Sequence, residues 1–479
     1  MKPAASIWFV ATFLFVVSVE AAESKSQPLQ DPIADKIAKG DIVVAAREFV
    51  RAPRTTDSST LNANAAYARI QYLLPIGDGS SRLVFNDLRG LLYLTDESGR
   101  APNIYLDLRK QNVGFDDSMF PNETGLSGFA FHPEFSDRGK PGHGKFYTAY
   151  STSSVDAFAD YLDDDAADHE SVIREWTAND PSATSFRGSS REVFRIGQFS
   201  PNHNIGTLAF NPYAEAGSKD HGMLYFSLGD GGGAFDPRNY GQSRRTPQAA
   251  ILRIDPLKGT NGKGYGIPPD NPYAGDPDSA PEIWVYGLRH AQQFSWDRDG
   301  RMFIGDIGQN QVEEINLAVA GANYGWRLRE GTFATAFAVP NQLAGPVFPL
   351  PADDDEKMFT YPVAQYDHDE GDAVSGGFVY RGSGIPELQG RYVFTDLARG
   401  RVFYIHELLL TPSLLAEIKE LRISFDGREQ DLLDVAGYPN TYAVGKRVDL
   451  RIGIDTAGEL YLLTKGDGWI RKLVSLETQ

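Results

Sequence analysis

Residues 282–331 read EIWVYGLRHAQQFSWDRDGRMFIGDIGQNQVEEINLAVAGANYGWRLREG, and the middle of this segment has the pattern of a β-hairpin. A short strand pattern at 294–296 precedes the turn sequence Asp297–Gly300, and a second strand pattern follows at 301–305. Polar residues flank the hairpin on both sides without an obvious role in packing. The segment therefore predicts a strand pair that carries one wall of a binding site at its end.

The second strand of this hairpin is one of six similar copies along the chain. The copies are residues 81–87 (SRLVFND), 144–148 (GKFYT), 222–227 (GMLYFS), 300–305 (GRMFIG), 390–395 (GRYVFT) and 458–463 (GELYLL). Their irregular spacing predicts an all-β fold, a six-bladed β-propeller with long inter-strand insertions, in which each copy lies in its own sheet. A β-sandwich built from unrelated hairpins is the alternative.

Composition limits the class of protein. The chain has 479 residues, no cysteine and a formal net charge of −18. The absence of cysteine excludes disulfides, thiolate metal sites and a cysteine nucleophile, and it favours a bacterial periplasm over an animal extracellular setting. The negative charge argues against nucleic acid or an anionic membrane as partner.

The N-terminus has the pattern of a targeting segment. Residues 1–22 combine Lys2, an apolar run and small residues at the end, which predicts a cleaved signal peptide and a periplasmic or secreted protein without a membrane span. An uncleaved anchor is the alternative. Residues 23–64 are interpreted as a lead-in that packs on the main body, with a weak helical pattern over Pro32–Val50, and residues 65–479 as the propeller.

Three loops next to the repeat strands carry groups suited to chemistry. They contain His203, the pair Arg289–His290, and the run Gly229–Gly233 with its counterpart Gly305–Gln309. Equivalent strand ends of a propeller face one channel mouth, so we expect His203 and Arg289 within about 8 Å of each other. His203 would act as a general base and Arg289 would face a developing oxyanion. The glycines would let backbone carbonyls face a cation or a flat ligand.

Several segments resemble the glucose/sorbosone dehydrogenase family in the family's own order. They are GLSGFAFHPEF (125–135), NHNIGTLAF (202–210), LYFSLGDGGG (224–233), residues 286–316, GANYGWRLREG (321–331) and residues 376–403. The resemblance implies a six-bladed propeller and, in catalytic members, a calcium-assisted site for pyrroloquinoline quinone (PQQ).

The resemblance also implies roles for individual residues. His203 matches the catalytic base, and Arg289 matches the arginine beside the reactive carbonyl of the quinone. Glu123 stands where a glutamine contacts the substrate or the cofactor. Gly308 and Gln309 match the pair whose backbone carbonyls hold the calcium ion of the cofactor.

Other positions depart from the family pattern. Asn202 stands where the glucose enzymes have an aspartate that orients the histidine, and His290 stands where they have an asparagine. The lysine that faces the quinone is missing near Ala398–Arg399. Lys446–Arg447 and Arg451 loosely match the arginine pair that holds the carboxylates of the cofactor, and Lys446 and Arg447 join Arg399 as candidate cofactor-binding residues. The sequences NHN (202–204) and LARG (397–400) resemble the branch of the family that includes hedgehog-interacting propellers.

The favoured hypothesis is a PQQ-dependent dehydrogenase that oxidises a sugar or a related polyol or aldose, with Ca²⁺ and an external electron acceptor. A non-catalytic, calcium-bound propeller that binds glycan or protein is the alternative from another class. A calcium-dependent hydrolase or lyase on the same scaffold is the third hypothesis.

Overall fold

The computed structural model describes residues 27–55, 66–118, 123–153, 159–162, 167–259, 262–335, 345–412, 414–439 and 445–476. The proposed signal peptide lies outside these residues. In the described part no helix has the length and the apolar character needed to cross a bilayer.

The described part of the chain is almost entirely β-structure. In chain order its elements are β1 (Ala38–Arg51), β2 (Ile70–Pro75), β3 (Arg82–Asp87), β4 (Leu91–Asp96), β5 (Asn103–Asp107), β6 (Leu126–Phe131), β7 (Lys145–Thr152), β8 (His169–Ala178), β9 (Gly188–Gln198), β10 (Ile205–Phe210), β11 (Leu224–Leu228), β12 (Ala250–Ile254), β13 (Ile283–Tyr286), β14 (Ala291–Trp296), β15 (Met302–Asp306), β16 (Val312–Leu317), β17 (Arg329–Glu330), β18 (Phe333–Thr335), β19 (Val347–Phe348), β20 (Ala364–Asp367), β21 (Val374–Val379), β22 (Arg391–Asp396), β23 (Val402–His406), β24 (Lys419–Phe425), β25 (Arg428–Glu429), α1 (Leu432–Ala436), β26 (Tyr438–Pro439), β27 (Lys446–Arg447), β28 (Leu450–Ile454), β29 (Leu460–Thr464) and β30 (Trp469–Ser475). Short 3-10 helices are found at Leu108–Lys110, Tyr240–Gln242, Asp354–Lys357, Pro386–Leu388 and Glu407–Leu409.

These strands form four-stranded antiparallel groups that follow one another along the chain. Four groups are separate sheets: β2–β5, β6–β9, β10–β13, and β14–β16 with β20. β21–β24 form a fifth group, and β28–β30 with β1 form a sixth. The six sequence repeats are β3, β7, β11, β15, β22 and β29, and each is the second strand of its group. The predicted hairpin is confirmed, since β14 pairs with β15.

A glycine explains why the repeat is visible in the sequence. In five of the six copies the glycine that opens the motif has a positive φ, between 69° and 85°. This conformation closes the turn from the first strand of a group to the second, and only glycine adopts it without steric cost. The repeat therefore marks one turn geometry used again in each group.

Hydrophobic clusters join each group to the next. Six clusters of buried residues lie between successive groups, and the last cluster joins the sixth group to the first. The first strands β2, β6, β10, β14, β21 and β28 contact one another in the same closed order. A single sheet cannot bury both of its faces, so each group depends on its two neighbours.

β1 corrects two expectations. The helical pattern over Pro32–Val50 is wrong, because β1 pairs in parallel with β24 and antiparallel with β30. Without β1, the edges of β24 and β30 would leave amide and carbonyl groups unpaired. The hydrogen bonds that β1 makes to both edges outweigh its weak helical periodicity. β1 also merges the fifth and sixth groups into one nine-stranded sheet, so the expectation of separate sheets for β22 and β29 is wrong.

The longer connections carry the insertions. The connection from β16 to β20 contains the small sheet β17–β19, and the connection from β12 to β13 contains the proline-rich residues 268–281. Bulges interrupt the pairing near the start of the first strand in five groups. Such bulges redirect side chains at the end of a sheet.

Candidate active site

The candidate residues gather at one end of the ring of first strands. In an antiparallel pair the start of the first strand lies beside the end of the second, as shown by the partners Ala291 and Asp306. His203, Arg289 and His290 come just before first strands, whereas Asp230 comes just after a second strand. The fold therefore brings residues from distant parts of the sequence to one mouth.

Carboxylates at the ends of second strands have a shared structural role. Asp87 accepts hydrogen bonds from the backbone amides of Arg69 and Arg89. Asp306 accepts from the amides of Arg289 and His290 at 2.9 and 2.7 Å. Asp396 likewise accepts from the amides of residues 372, 373 and 399. Each carboxylate holds main chain at the mouth in place.

Asp230 departs from this role. Its Oδ1 lies 2.6 Å from Nδ1 of His203 and also accepts from the amide of Gly232, while its Oδ2 accepts from Nε1 of Trp326 at 2.9 Å. Burial raises the pKa of Asp230, but the charge of His203 and its hydrogen bond, together with Arg289, lower it below its usual value. A carboxylate at this place accepts a hydrogen bond from Nδ1–H, which leaves Nε2 as the nitrogen with a free lone pair in the neutral form of the imidazole.

The backbone around His203 is also specialised. His203 has a φ of 58°, in the left-handed region. Its amide donates to Oε2 of Glu123 at 2.6 Å. A Cβ atom at Gly229 would lie 2.6 Å from Cβ of His203, so only glycine fits against this turn. A side chain held in an uncommon conformation by its surroundings is typical of functional sites.

Arg289 also contacts Asp230. Its carbonyl accepts from the amide of Asp230 at 2.9 Å, and its guanidinium donates to Gln309 Oε1 and to the carbonyl of Ile307, both at 3.1 Å. The guanidinium carbon is 5.8 Å from the ring centre of Trp326. His203 and Arg289 thus share Asp230 as a neighbour, and the 8 Å separation between their side chains stays a prediction.

His290 belongs to the same cluster. Its ring centre is 4.7 Å from that of His203, and the residue is buried. Burial, and then the charges of His203, Arg289 and Arg451, hold the pKa of His290 well below its usual value. A neutral His290 adds no competing positive charge next to the candidate base.

Two predicted residues have other partners. Asn202 does not orient His203, because its Oδ1 accepts from the hydroxyl of Ser200, and Asp230 makes the contact to the imidazole. Arg399 donates to Asp372 and to the carbonyls of His368 and Asp369. None of the contacts that the structure shows for Arg399 involves the His203 cluster.

The remaining predicted cations differ in their exposure. Lys446 is exposed, and Arg447 donates to Asp449 at 2.6 Å. Arg451, which the resemblance matched loosely, is buried and donates to Gln71, Ser375 and Gln292.

Cavities do not coincide with the most reactive groups. A cavity of about 340 Å³ is lined by Lys39, Arg399, Arg401 and Leu432, among others, and contains no residue of the His203 cluster. A polar cavity of about 10 Å³ touches Glu123, His290 and Gln292. The smaller cavity is the relevant one, because it is lined by His290, whose ring lies beside that of His203.

The loop that begins at Gly308 fits a hard cation. In the described part of the chain no hydrogen bond is donated to the carbonyls of Gly308 or Gln309. Glu330 accepts from the amides of residues 310, 311 and 312 through Oε1, while its buried Oε2 has no partner. A free carbonyl pair and a free buried carboxylate oxygen are ligands that Ca²⁺ prefers.

Buried acids surround this loop. Burial and the neighbouring Glu314 raise the pKa of Asp306 well above its usual value. Burial raises the pKa of Glu314 to about 7. Such raised values are expected where several carboxylates share a site that a cation would neutralise. Within the described residues the one compact set of three acidic ligands is Asp31, Asp367 and Asp369, so a cation at Gly308 would depend on backbone carbonyls.

Comparison with known proteins identifies the family. Residues 76–423 match the family described as "Glucose / Sorbosone dehydrogenase". The chain belongs to this family. The resemblance found in the sequence is therefore confirmed.

Similarity to individual proteins extends over most of the chain. It is 28% identical over 439 residues to the HIPL1 protein of Arabidopsis thaliana, covering 82% of this chain and 60% of that protein. It is 25% identical to human Hedgehog-interacting protein, covering 81% of this chain and 47% of that protein. The chain thus spans between about half and three fifths of the length of these relatives.

Among solved structures, the PQQ-bound aldose sugar dehydrogenase of Streptomyces coelicolor has a similar fold. The TM-score is 0.53 at 23% identity, with 88% of this chain and 99% of that chain covered. This likeness concerns the fold and supports a propeller-like arrangement of the strand groups.

Sequence reasoning placed Asp230 in a candidate loop without giving it a role, and it missed Trp326. The role of Asp230 could have been found, since it follows the third repeat strand as Asp306 ends the fourth. Trp326 carries no such signal, because the long connection between β16 and β20 brings it to Asp230.

Proposed function

We propose that this protein is an exported, PQQ-dependent dehydrogenase on a six-bladed propeller, which oxidises a sugar or a related polyol or aldose. The hydrogen-bonded pair of His203 and Asp230, with the backbone of Arg289 hydrogen-bonded to that of Asp230, carries this proposal. Family membership and the fold of the sugar dehydrogenases support it. A small organic substrate and an external electron acceptor are the partners we propose.

His203 would remove the hydroxyl proton of the substrate. Asp230 holds Nδ1 as a donor, so the lone pair of Nε2 is available to accept that proton. The carboxylate also stabilises the imidazolium that results. Bound PQQ would supply the acceptor for the two electrons and the hydrogen that leave the carbon atom as a hydride.

Arg289 and the Gly308–Gln309 loop would hold the cofactor and its calcium ion. The guanidinium is fixed by Gln309 and Ile307, so it presents a preorganised positive charge at small entropic cost. The carbonyls of the loop would supply uncharged oxygen ligands for Ca²⁺, and the carboxylate of Glu330 would add one negative charge.

A non-catalytic, calcium-bound propeller that binds glycan or protein is the second candidate. Two observations favour it: there is no lysine near Ala398, and Arg399 is bound to the loop of residues 368–372. One relative is named for its interaction with Hedgehog, and the match to it extends over 81% of this chain.

Reconstitution separates the two candidates. The purified protein, treated with a chelator, receives PQQ and Ca²⁺, and dye reduction is followed over a panel of aldoses and polyols. The dehydrogenase proposal expects PQQ-dependent turnover that His203→Ala abolishes and that His406→Gln, at a surface histidine, leaves unchanged. Tight glycan or protein binding without turnover by any loaded sample would favour the second candidate.

A further inference from the structure

Trp326 joins the candidate base to the rest of the mouth. It is buried, and its indole Nε1 donates to Oδ2 of Asp230 at 2.9 Å. In the described part of the chain this is the one hydrogen bond to Oδ2, whereas Oδ1 accepts from His203 and from the amide of Gly232. The two oxygens of the carboxylate therefore have separate donors, and the indole determines which oxygen faces the imidazole.

The indole ring also lies close to the groups around Arg289. The guanidinium carbon of Arg289 is 5.8 Å from the ring centre, and the ring of Phe235 is stacked at a centroid distance of 6.4 Å. The side-chain oxygen of Gln309 accepts from Nε of Arg289 and from the backbone amide of Phe235. Trp326 thus lies beside both the cation and the carboxylate to which the proposed function assigns chemistry.

A pair of side-chain amides holds the main chain of Trp326. Nε2 of Gln242 donates to the carbonyl of Trp326 at 2.6 Å and to Oδ1 of Asn323 at 3.2 Å. Nδ2 of Asn323 donates back to Oε1 of Gln242 at 3.0 Å. The backbone amide of Trp326 donates to the carbonyl of Gly287 at 2.9 Å. Both backbone polar groups of Trp326 are therefore fixed by other parts of the chain.

The packing around this support is tight. A Cβ atom at Gly241 would lie 2.3 Å from the carbonyl oxygen of Trp326, and a Cβ atom at Gly287 would lie 2.2 Å from Oδ1 of Asn323. The buried carboxylate of Asp236 accepts from the amide of Gly241 at 2.7 Å and so holds this turn. The indole cannot shift without displacing main chain on both sides.

The acceptor distinguishes Trp326 from an ordinary core tryptophan. A buried indole N–H needs an acceptor, and a neutral one suffices, as Trp176 shows by donating to the hydroxyl of Thr148 at 2.9 Å. Trp326 donates to an ionised carboxylate, and a charge-assisted bond of this kind is stronger than a neutral one. Without it, Oδ2 of Asp230 would be a buried charged oxygen without a donor. The carboxylate could then rotate or take up a proton, and either change would release the imidazole from one tautomer.

We propose that Trp326 is a positioning residue that keeps the proton of neutral His203 on Nδ1. It does so by fixing the orientation of the Asp230 carboxylate, and Gln242 and Asn323 hold it in place. The consequence for turnover rests on the proposed function, whereas the state of the imidazole can be measured without cofactor or substrate.

Nitrogen-15 NMR of the full chain without cofactor measures the tautomer of His203. Spectra are recorded at about pH 8, where an ordinary histidine is neutral. The signals are assigned by their absence in His203→Gln. The wild type should show one dominant tautomer, with the proton on Nδ1. Trp326→Phe should move the two nitrogen signals toward each other, as a mixture of tautomers does.

Trp176→Phe is the matched control. It removes a buried indole N–H with the same hydrogen-bond length, and the acceptor of that bond is Thr148 rather than Asp230. The His203 signals should be unchanged in this variant. In the presence of PQQ and Ca²⁺, Trp326→Phe should lower kcat about tenfold or more and change KM by at most a few fold, while Trp176→Phe should change neither.

The outcomes separate this inference from the proposed function. An unchanged His203 tautomer in folded Trp326→Phe would refute the positioning role, whatever happens to kcat or to stability. A wild-type spectrum without a dominant Nδ1–H tautomer would refute it as well. If the tautomer shifts as expected but the wild type shows no PQQ-dependent turnover, the dehydrogenase proposal fails and the positioning role stands.

A second variant covers the case in which Trp326→Phe does not fold. Gln242→Glu keeps the size of the side chain but removes the donor to the carbonyl of Trp326. It should shift the His203 tautomer in the same direction as Trp326→Phe. An unchanged spectrum for this variant would then overturn the inference.

Discussion

Replacement of Asp230 by asparagine tests the chemistry of the mouth most directly. The variant keeps the shape of the side chain but removes the charge that faces His203 at 2.6 Å. The amide of asparagine can also donate its NH₂ group to Nδ1 of His203. This favours the tautomer with the proton on Nε2, which cannot accept a proton from the substrate there. Loss of this control in an Asp–His pair lowers kcat by about 10²–10⁴-fold.

The same substitution has a defined cost in stability. Asp230 accepts three hydrogen bonds, from His203 and Gly232 at Oδ1 and from Trp326 at Oδ2. Asparagine has one acceptor oxygen, so its NH₂ group must face a buried donor. An unsatisfied buried donor costs about 1–3 kcal/mol, and we expect the free energy of unfolding to fall by this amount at pH 7.

The pH dependence of this effect follows from the pKa of Asp230. Its pKa is lower in the folded protein than in the unfolded chain, so the ionised carboxylate stabilises the fold above the unfolded pKa of about 4. This contribution is lost as the pH falls through the lower, folded value. The difference between the wild type and Asp230→Asn should therefore shrink between pH 7 and strongly acidic pH.

Two assays and one control variant test the role of Asp230. Urea unfolding measures stability, and dye reduction by the PQQ-loaded protein measures kcat. Asp87→Asn is the matched control, because Asp87 ends β3 as a buried carboxylate that binds backbone amides and no histidine. It should cost stability while leaving kcat nearly unchanged. A folded Asp230→Asn variant with wild-type kcat would refute the assignment of His203 as an Asp-oriented base.

Further predictions concern the cofactor loop, the acids beneath it, the first strand and the N-terminus. Arg289→Lys should lose PQQ-dependent turnover although the charge is kept, because an ammonium cannot reproduce the two contacts of the guanidinium to Gln309 and Ile307; retained turnover would contradict this. Because burial raises the pKa of Glu314 to about 7, the metal-free protein should lose stability as the pH rises from about 5 to 8. Ca²⁺ or Glu314→Gln should remove that loss in thermal unfolding, and no response to Ca²⁺ would speak against the calcium site. Val44→Asp should prevent stable folding, since Val44 is 0% exposed between β24 and β30, and a well-folded variant by circular dichroism would contradict the role of β1. Mass spectrometry of exported protein should show that residues 1–21 or 1–22 have been removed, and a retained Met1 would indicate an anchor.

Much of the mouth could be located from the sequence because its residues adjoin a visible repeat. His203, Arg289 and Gly308 all lie within a few residues of strands that local patterning reveals. The alternation of apolar and polar residues and the glycines in the turns are local features, so they can be recognised in the sequence without knowledge of tertiary contacts. The positions of the strands, and hence of the loops between them, follow from that local information.

The hydrogen-bond partners of those residues could not be predicted from the sequence in the same way. Asp230 orients His203 from 27 residues further along the chain, whereas the family resemblance had pointed to the position of Asn202. Arg399 lies where a cofactor-binding residue was expected, yet neighbouring carbonyls and Asp372 take up its guanidinium. Hydrogen bonds depend on direction and on distances of a few tenths of an ångström, which spacing in a sequence does not specify.

The sequence by itself determined the six repeat strands, the turns that join them and the family to which the chain belongs. These features depend on periodicity and on glycines with positive φ, which are properties of neighbouring residues. Only the tertiary structure decided that β1 joins the fifth and sixth groups and that Asp230 holds His203. Each of these contacts results from the closure of the ring, which brings together β1, β30 and the starts of separate strands. No local sequence pattern specifies such contacts between distant residues.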